Sequence, residues 1–396
     1  MVNIKIYRRI AALLLSCLIL SGCGKESETQ TAASEERKLR RRCKEIVSMY
    51  RDIYDASSKQ EPDSRWDEPV LPQQSIDAIE ERLMGQGLDV MDSSEDCPEY
   101  LANGEHFVQF WKAVQRGEEA TEEIIFIRPT GALNYRKFIH QNGVTDLYSM
   151  VTSLDGTEDP DCEVHRIYGA SLTERGNFYY RINPEDDPHY ANYALIRLKK
   201  PDEELWGLYS RYVMAGGYTA SNIYLTDWTE ADFSTLCFND LWEYLYRYQT
   251  GTQFWPDGYP YDAEKGCYWI PASKFEPTVL PYFSLSADQL RLLAGYDSER
   301  DSYPWRQIES NDYVFYLSYY TIEPEVTGFK NNADGTLSMT VELLSTDLGI
   351  DCLFSHELTI RPLEDDGFQF VGNKMLTQTE YGLPFCEPRL TWELAG

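Results

Sequence analysis

The hydrophobic and polar positions of the chain begin with a helical repeat. From Leu39 onward, apolar residues recur at steps of three and four, which is the spacing of one face of an amphipathic helix. Two shorter helices are predicted next: one has Ser75 as its N-cap and ends at Gly85 or Gly87, and the other ends at Gly117. The apolar positions of the first helix are Leu39, Cys43, Ile46, Val47, Tyr50, Ile53 and Tyr54.

After these helices the repeat becomes an alternation of apolar and polar residues, which predicts β-strands. The segment EEIIFIRP is one such strand. The segment LNYRKFIHQNGVTDLYSMV is a hairpin that turns at Asn142-Gly143, a dipeptide typical of two-residue hairpin turns. Further strands are predicted at Glu163–Leu172, Asn177–Asn183 and Tyr193–Lys199.

The second half of the chain repeats this order of elements. FNDLWEYLYRYQTG predicts a helix that ends at Gly251, and SADQLRLLAG predicts one that opens with a Ser286–Gln289 capping box. Between them, Ser273–Phe283 is a helical candidate that Pro277 weakens. The strands predicted to follow, with a connection at Ile322–Pro324, are Tyr313–Thr321, Glu325–Lys330, Leu337–Leu344, Cys352–Arg361 and Phe368–Met375.

Helices followed by a curved antiparallel meander sheet, once in each half, predict an α+β fold with two such domains. This is the element order of the NTF2-like and cystatin-like folds. We expect an N-terminal α+β domain at residues 37–200, a connecting segment at 201–232 and a C-terminal α+β domain at 233–396. An internal duplication is one interpretation, although the two halves share no obvious residue identity.

The first thirty residues carry a separate pattern. An apolar run at Ile10–Leu20 follows Lys5, Arg8 and Arg9, and the chain then becomes wholly polar. A helix needs about 20 apolar residues to span a bilayer, so this run is too short. Its basic start and short apolar core are typical of a secretory signal. Met1–Gly22 is therefore predicted to be a signal peptide.

The residues Leu20-Ser21-Gly22-Cys23 resemble the bacterial lipobox. The resemblance implies cleavage just before Cys23 and attachment of a diacylglycerol to its thiol, usually with acylation of the new N-terminus. Two or three acyl chains hold a protein firmly at a membrane, whereas one binds only marginally. The membrane is thus a predicted partner through Cys23, and the predicted location is the outer side of the cell membrane. The alternative is an ordinary cleaved signal peptide with an incidental cysteine.

Residues 23–36 are predicted to form the lipidated cysteine and a flexible tether. Gly24–Glu36 has no large apolar residue and cannot form a packed core. Loss of the leader removes three positive charges, which changes the formal net charge from −29 to −32. A body this acidic is repelled by nucleic acids, which excludes nucleic acid as a partner.

The remaining cysteines indicate the source of the chain. Cys17 leaves with the leader and Cys23 carries lipid, so an odd number remains and at least one cannot join an intramolecular disulfide. Scattered thiols in an exported protein favour a source where oxidative pairing is not enforced, such as an anaerobic monoderm bacterium. The remaining cysteines are Cys43, Cys97, Cys162, Cys237, Cys267, Cys352 and Cys386.

The sequence contains no recognisable catalytic or cofactor motif, such as G-x-S-x-G, H-E-x-x-H, a P-loop or G-x-G-x-x-G. Cys162 and His165 would face opposite sides of a strand, and Cys352 and His356 would lie about 13 Å apart along one. The acidic run from Asp155 lacks the glycine and glutamate of an EF-hand loop. We therefore predict no catalytic residue, no cofactor and no metal. The alternative is an enzyme whose catalytic residues are distant in the chain.

One loop, TGTQFWPDGYPYDAEKGCYWIP, concentrates aromatic residues among prolines and glycines. Aromatic rings on a stiff loop offer a large contact area at little entropic cost, and Asp257 or Asp262 would accept hydrogen bonds from ligand hydroxyls. The alternative is that the loop folds over its own domain and buries the rings. The candidate binding platform consists of Phe254, Trp255, Tyr259, Tyr261, Tyr268 and Trp269.

The C-terminal half also resembles a clostridial lipoprotein family of unknown function. The resemblance rests on IPASKFEPTVLPYFSLSADQLRLLAGYD, NADGTLSMTVELLSTDLGIDCLFSHELTIRP and GFQFVGNKM, and it covers roughly Phe238–Met375. It implies export but carries over no active site. We expect a non-enzymatic, lipid-anchored envelope lipoprotein that binds a saccharide, a peptide or an envelope protein. The alternatives are an envelope hydrolase and a structural component of a surface assembly.

Overall fold

The helical pattern that begins at Leu39 forms helix α1, residues 34–56, in the computed structural model. Its apolar face is fully buried at Leu39, Cys43, Ile46 and Tyr50, as the spacing predicted. The helix includes residues 34–36, so the last three residues of the predicted tether are helical.

The structure describes residues 34–59, 69–93, 97–152, 154, 162–184, 193–218, 221–307, 322–377 and 388–390. The predicted signal peptide, Cys23, the run 155–161 and the predicted strand Tyr313–Thr321 lie outside these residues. None of the helices in the described part of the chain has the length and apolar character that a membrane span requires.

The chain divides into two units. Unit 1 comprises Met1–Glu95 and Glu99–Ile167, and unit 2 comprises Asp96–Pro98 and Tyr168–Gly396. The domain bounds expected from the sequence stay a prediction.

Unit 1 packs three helices with antiparallel strands. Helices α2 (Gln73–Met84) and α3 (Glu105–Gln115) follow α1. Asn142 and Gly143 both have positive φ, which confirms the predicted hairpin turn. The strands are β1 (Met91–Asp92), β2 (Tyr100–Leu101), β3 (Ala120–Ile127), β4 (Leu133–Gln141), β5 (Val144–Val151) and β6 (Cys162–Arg166). The last four form a sheet in the order β3-β4-β5-β6, and β1 pairs with β2.

The core of unit 1 lies between α1, α2 and one face of this sheet. Ile46 of α1 and Ile79 of α2 are buried together with Ile125, Tyr135 and Met150 of the strands. Burial of each such side chain contributes roughly 1.5–3 kcal/mol. The helical and alternating patterns of the sequence therefore meet in one core.

Unit 2 contains three antiparallel sheets in its described part. Their orders are β7-β8-β9, β11-β12-β13 and β10-β17-β16-β15-β14. Their strands are β7 (Gly169–Leu172), β8 (Asn177–Arg181), β9 (Ala194–Arg197), β10 (Trp228–Thr229), β11 (Tyr261–Asp262), β12 (Cys267–Pro271), β13 (Ser302–Trp305), β14 (Ile322–Asn331), β15 (Leu337–Ser345), β16 (Ile350–Pro362) and β17 (Phe368–Thr377).

The helices of unit 2 carry the end signals expected from the sequence. Gly251 ends α5 in the left-handed conformation, with a φ of 69°. Ser286 and Gln289 form the predicted capping box of α7. The helices are α4 (Glu203–Leu208), α5 (Phe238–Thr250), α6 (Ala272–Val279) and α7 (Ala287–Leu293), with a π-helical turn at Tyr209–Val213 and 3₁₀ turns at Leu280–Tyr282 and Glu364–Asp366. Helices with separate antiparallel sheets confirm the predicted α+β class.

Three predictions of element bounds are wrong. Glu163–Leu172 is not one strand, because β6 and β7 belong to different sheets. Ser75 lies inside α2, which starts directly after Pro72, a residue whose fixed φ suits a helix start. Pro324 lies within β14 and does not end it. A proline is tolerated there because β14 is the edge of the described sheet, where one side of the strand needs no ladder hydrogen bond.

The stretch 201–232, expected to connect two domains, is part of the fold of unit 2. It supplies α4, the π-helical turn and β10. It also supplies side chains to the core of unit 2, namely Tyr212, Tyr218, Ile223, Tyr224 and Trp228.

Candidate functional site

The six aromatic residues of the predicted platform are divided between the surface and the core of unit 2. Trp255 and Tyr261 are exposed, with 60% and 58% of their surface accessible. Tyr261 lies across the strand ladder from the half-buried Tyr268, with their ring centroids 4.9 Å apart. The remaining three are the half-buried Tyr259 and the buried Phe254 and Trp269.

The buried Phe254 fixes the loop to the core. Its ring packs edge-on against Trp242 and Trp305, at centroid distances of 4.8 and 5.0 Å. The ammonium of Lys274 lies 4.9 Å from the centroid of Phe254 and donates a hydrogen bond of 3.0 Å to the Tyr259 hydroxyl. The position of the neighbouring Trp255 is therefore set by packed residues on the same loop.

Trp269 is held between two cations. The ammonium of Lys265 and the guanidinium of Arg300 lie 5.0 and 4.8 Å from its ring centroid. Its Nε1–H donates to Asp262 Oδ2 at 3.4 Å, and Asp262 Oδ1 accepts from two backbone N–H groups of the same turn. These backbone hydrogen bonds, that of Lys265 foremost, lower the pKa of Asp262. Asp262 is thus engaged in the turn, whereas Asp257 is exposed.

A cavity of about 350 Å³ opens elsewhere in unit 2. Its volume lies at the lower end of the roughly 300–1,000 Å³ typical of small-ligand pockets. The lining residues of this cavity come from the β7–β8 turn, β8, β9 and the residues after it, α4, the π-helical turn and β14, with Pro98 in addition. The lining includes Arg175, Asn177, Arg197, Lys199, Trp206 and Glu325.

The two arginines of the cavity are held by carboxylates. Arg197 has only 12% of its side chain exposed, and its Nη2 donates to Glu323 Oε2 at 2.6 Å and Glu325 Oε1 at 3.1 Å. Arg175 pairs with Glu342 of β15. Because these partners are fixed by strands, the guanidinium groups are oriented before any ligand arrives.

The cavity also has an aromatic face and an ammonium group. The half-buried indole of Trp206 stacks on Tyr209, with centroids 4.8 Å apart and an interplanar angle of 28°. Helix α4, which carries Trp206, is capped by Asp202, whose Oδ1 accepts from two backbone N–H groups of its first turn. Lys199 is exposed, and its Nζ donates to the Glu174 carbonyl at 3.0 Å.

His356 is buried in the core of unit 2 and is fully hydrogen-bonded. Since Asn373 Oδ1 can only accept, the Nδ1–H of His356 donates to it at 2.6 Å. Nε2 then accepts from the Tyr218 hydroxyl at 2.7 Å. Burial lowers the pKa of His356 to about 4, so the ring is neutral. Among the described residues, no group of three or more His, Cys, Asp or Glu is arranged to hold a metal ion.

Unit 1 contains an acid–base pair of its own. The Nδ1–H of the exposed His106 donates to Asp89 Oδ1 at 2.8 Å, and the Asp89 carboxylate is buried. Burial, together with nearby Asp89, raises the pKa of Glu122 to about 8. This is an imidazole oriented by a carboxylate, with a second carboxyl group beside it.

Five of the described thiols are poor nucleophiles. Burial raises the pKa of Cys43 to about 12, which disfavours the reactive thiolate. Burial also raises the pKa of Cys162, Cys267 and Cys352. Free thiols are found at Cys43, Cys162, Cys237, Cys267 and Cys352.

The sequence singled out the aromatic loop and missed the cavity. Part of the cavity lies in the stretch LKKPDEELWGLY, most of which was expected to belong to a connecting segment. The signals in the sequence that could have indicated the cavity were the basic pair Lys199-Lys200, the helix cap at Asp202 and Trp206 one turn later. The contact of Arg197 with Glu325 bridges more than a hundred residues and has no local signal.

Comparison of the chain with known proteins finds one matching family. The model of a family of unknown function (DUF6070) matches residues 36–389 and therefore spans both units. No curated protein matches the chain, and no solved structure matches it.

Proposed function

Because the chain belongs to this family of unknown function, we propose its role from its own residues: a lipid-anchored envelope lipoprotein that binds an envelope component without catalysing a reaction. The lipobox Leu20-Ser21-Gly22-Cys23 supports the anchor and the position on the outer side of the cell membrane. The resemblance to clostridial lipoproteins and the scattered thiols support a monoderm source. The partner is a saccharide, a peptide or an envelope protein.

The exposure of two large aromatic rings on one anchored loop supports the binding role. Full burial of a large apolar side chain is worth roughly 1.5–3 kcal/mol, which Trp255 and Tyr261 forgo by facing water. The neighbouring rings of Phe254 and Trp269 are buried, so the exposure of Trp255 and Tyr261 does not come from a loop that is unpacked throughout. Rigid exposed aromatic rings of this kind are typical of binding surfaces.

The test measures how well the protein without its signal peptide and lipid anchor is retained on isolated envelope material. Wild type is expected to be retained, and the double variant Trp255→Ala/Tyr261→Ala is expected to lose at least tenfold in affinity. Tyr168→Ala is the matched control, because Tyr168 is an exposed aromatic residue outside this loop. Equal retention of the double variant would refute the proposed surface.

The anchor is tested separately. Mass spectrometry of the mature protein is expected to show an acylated Cys23 at the N-terminus, and Cys23→Ala is expected to release the protein from membranes. An unmodified N-terminus would refute the anchor while leaving the binding surface open to its own test.

An envelope hydrolase is the second candidate, and the Asp89–His106 pair favours it. An exposed imidazole oriented by a buried carboxylate is the usual arrangement of a general base. Incubation with peptidoglycan fragments tests it: hydrolysis that is lost in His106→Gln would support an enzyme, and intact fragments would exclude this substrate class.

A further inference from the structure

We propose that the cavity of unit 2 binds a saccharide that carries a carboxylate. The site is separate from the loop of Trp255 and Tyr261, so the inference does not rest on the proposed function. Three features of the lining carry it: an aromatic face and, as far as the described residues go, a carboxylate oxygen left to accept hydrogen bonds and a cation that no carboxylate neutralises.

The aromatic face is the indole of Trp206. Tyr209 stacks on one face of the ring, with the centroids 4.8 Å apart, and both residues line the cavity. A planar ring that is already held by stacking needs little rearrangement to receive a ligand, which lowers the entropic cost of binding. The C–H face of a sugar ring is a flat apolar surface that matches it.

The hydrogen-bond acceptor is Glu325. Its Oε1 accepts from Arg197, whereas Oε2 makes no hydrogen bond with any described residue. An ionised carboxylate is acceptor-only, so the ligand group it suits is a donor such as a hydroxyl. Because Arg197 holds the carboxylate, the free oxygen is oriented before the ligand binds.

The cation is Lys199. The arginines of the lining are matched by carboxylates, but the Lys199 ammonium donates to a backbone carbonyl, and no described carboxylate pairs with it. An ammonium has three donors. A ligand carboxylate would therefore form a charge-assisted hydrogen bond there.

The three features together favour a ligand that has an apolar face, a hydroxyl and a carboxylate. A small inorganic anion would leave both Trp206 and the acceptor oxygen of Glu325 unused. A neutral sugar would leave Lys199 unmatched. A hexose with one carboxylate uses all three, and a cavity of about 350 Å³ suits one or two sugar rings.

Isothermal titration of the leaderless full chain tests the proposal with two matched pairs of sugars. D-Glucuronate is compared with D-glucose, and N-acetylmuramate with N-acetylglucosamine, so that each acid has a neutral counterpart. Each acid is expected to bind at least tenfold more tightly than its counterpart. No saturable binding of either acid, or equal binding of acid and neutral sugar, would overturn the proposal.

The variants assign the roles of the residues. Lys199→Gln is expected to weaken the acids about tenfold and to leave the neutral sugars unchanged. Lys374→Gln, which removes an exposed ammonium outside the cavity, is expected to change neither. If both lysine variants weaken the acids equally, the effect is one of net charge and the site is refuted.

Trp206→Ala is expected to weaken all four sugars, and Trp206→Phe to retain most of the affinity for them. The phenylalanine variant preserves a ring on α4 and so separates stacking from folding. Unchanged affinity in Trp206→Ala would overturn the stacking role and the proposed site with it.

Discussion

Replacement of Arg389 is predicted to destabilise unit 2 strongly. Its side chain is 4% exposed and that of Asp240 is 2% exposed. Nε donates to Asp240 Oδ1 at 2.8 Å, and Nη1 donates to the Arg306 carbonyl at 2.6 Å. The backbone N–H of Arg389 also donates to Asp240 Oδ2 at 3.2 Å. Arg389 thus neutralises the buried Asp240 carboxylate in the first turn of α5, and its Nη1 lies 3.5 Å from Oε2 of a second buried carboxylate, Glu243.

The magnitude follows from what Arg389→Met leaves behind. Methionine keeps most of the apolar stem, so the main loss is the charge partner. Removal of one partner from a buried ion pair costs about 3–5 kcal/mol, because the other charge stays buried and uncompensated. The N-terminal end of α5 offsets about 0.3–1 kcal/mol of this for Asp240. We therefore expect a loss of about 3 kcal/mol at pH 7.

Urea denaturation followed by tryptophan fluorescence measures this loss. Seven of the nine tryptophans belong to unit 2, so the signal reports mainly on that unit. The matched control is Arg361→Met, which breaks the half-exposed pair with Glu230 and should cost less than about 1 kcal/mol.

The origin of the loss is tested by a second substitution. Asp240→Asn added to Arg389→Met removes one of the two buried carboxylates that Arg389 contacts and should recover part of the stability. A cost below about 1 kcal/mol, or no recovery with Asp240→Asn, would refute the reasoning.

Three further predictions concern single groups. The pKa of His356 is about 4 in the folded state and 6.5 ordinarily, so the free energy of unfolding of unit 2 should fall by about 3 kcal/mol as the pH falls from 7 to 4. Denaturation of His356→Gln at the same pH values should lack this part of the loss. Burial raises the pKa of Glu80 from 4.5 to about 7, so unit 1 should lose about 3 kcal/mol as the pH rises through this range. Hydrogen exchange of α2 peptides should show less of this loss in Glu80→Gln. Gly217→Ala should lower the thermal midpoint by several degrees, since its Cβ would lie 2.2 Å from the Tyr244 ring. Gly207→Ala, with open space around it, should not lower the midpoint.

The elements that the sequence predicted well are those with local causes. The Asn142-Gly143 turn, the Ser286–Gln289 capping box and the stop at Gly251 each depend on residues within four positions of one another. The α+β class followed from the change of hydrophobic period between helices and strands. No long-range contact was needed for these.

The remaining features depend on contacts between distant residues. The break between β6 and β7 falls between the adjacent residues Ile167 and Tyr168. The backbone N–H of Ile167 donates to the Thr145 carbonyl, and that of Tyr168 donates to the Arg181 carbonyl. Neither Ile167 nor Tyr168 is a proline or a glycine, so the sequence does not mark the break. In the aromatic loop, the sequence could not tell the exposed Trp255 from the buried Trp269. Arg300, which covers Trp269, lies 31 residues away along the chain.

The pairing of β10 with β17 has a consequence for the order of folding. It joins Trp228 to Asn373 across more than 140 residues, and Arg389 reaches Asp240 over a similar distance. The buried residues of the unit 1 core lie within residues 39–154. During synthesis from the N-terminus, unit 1 can therefore close early, while unit 2 waits with an open sheet and an unneutralised Asp240. We expect a chaperone that holds this nascent chain to act on unit 2.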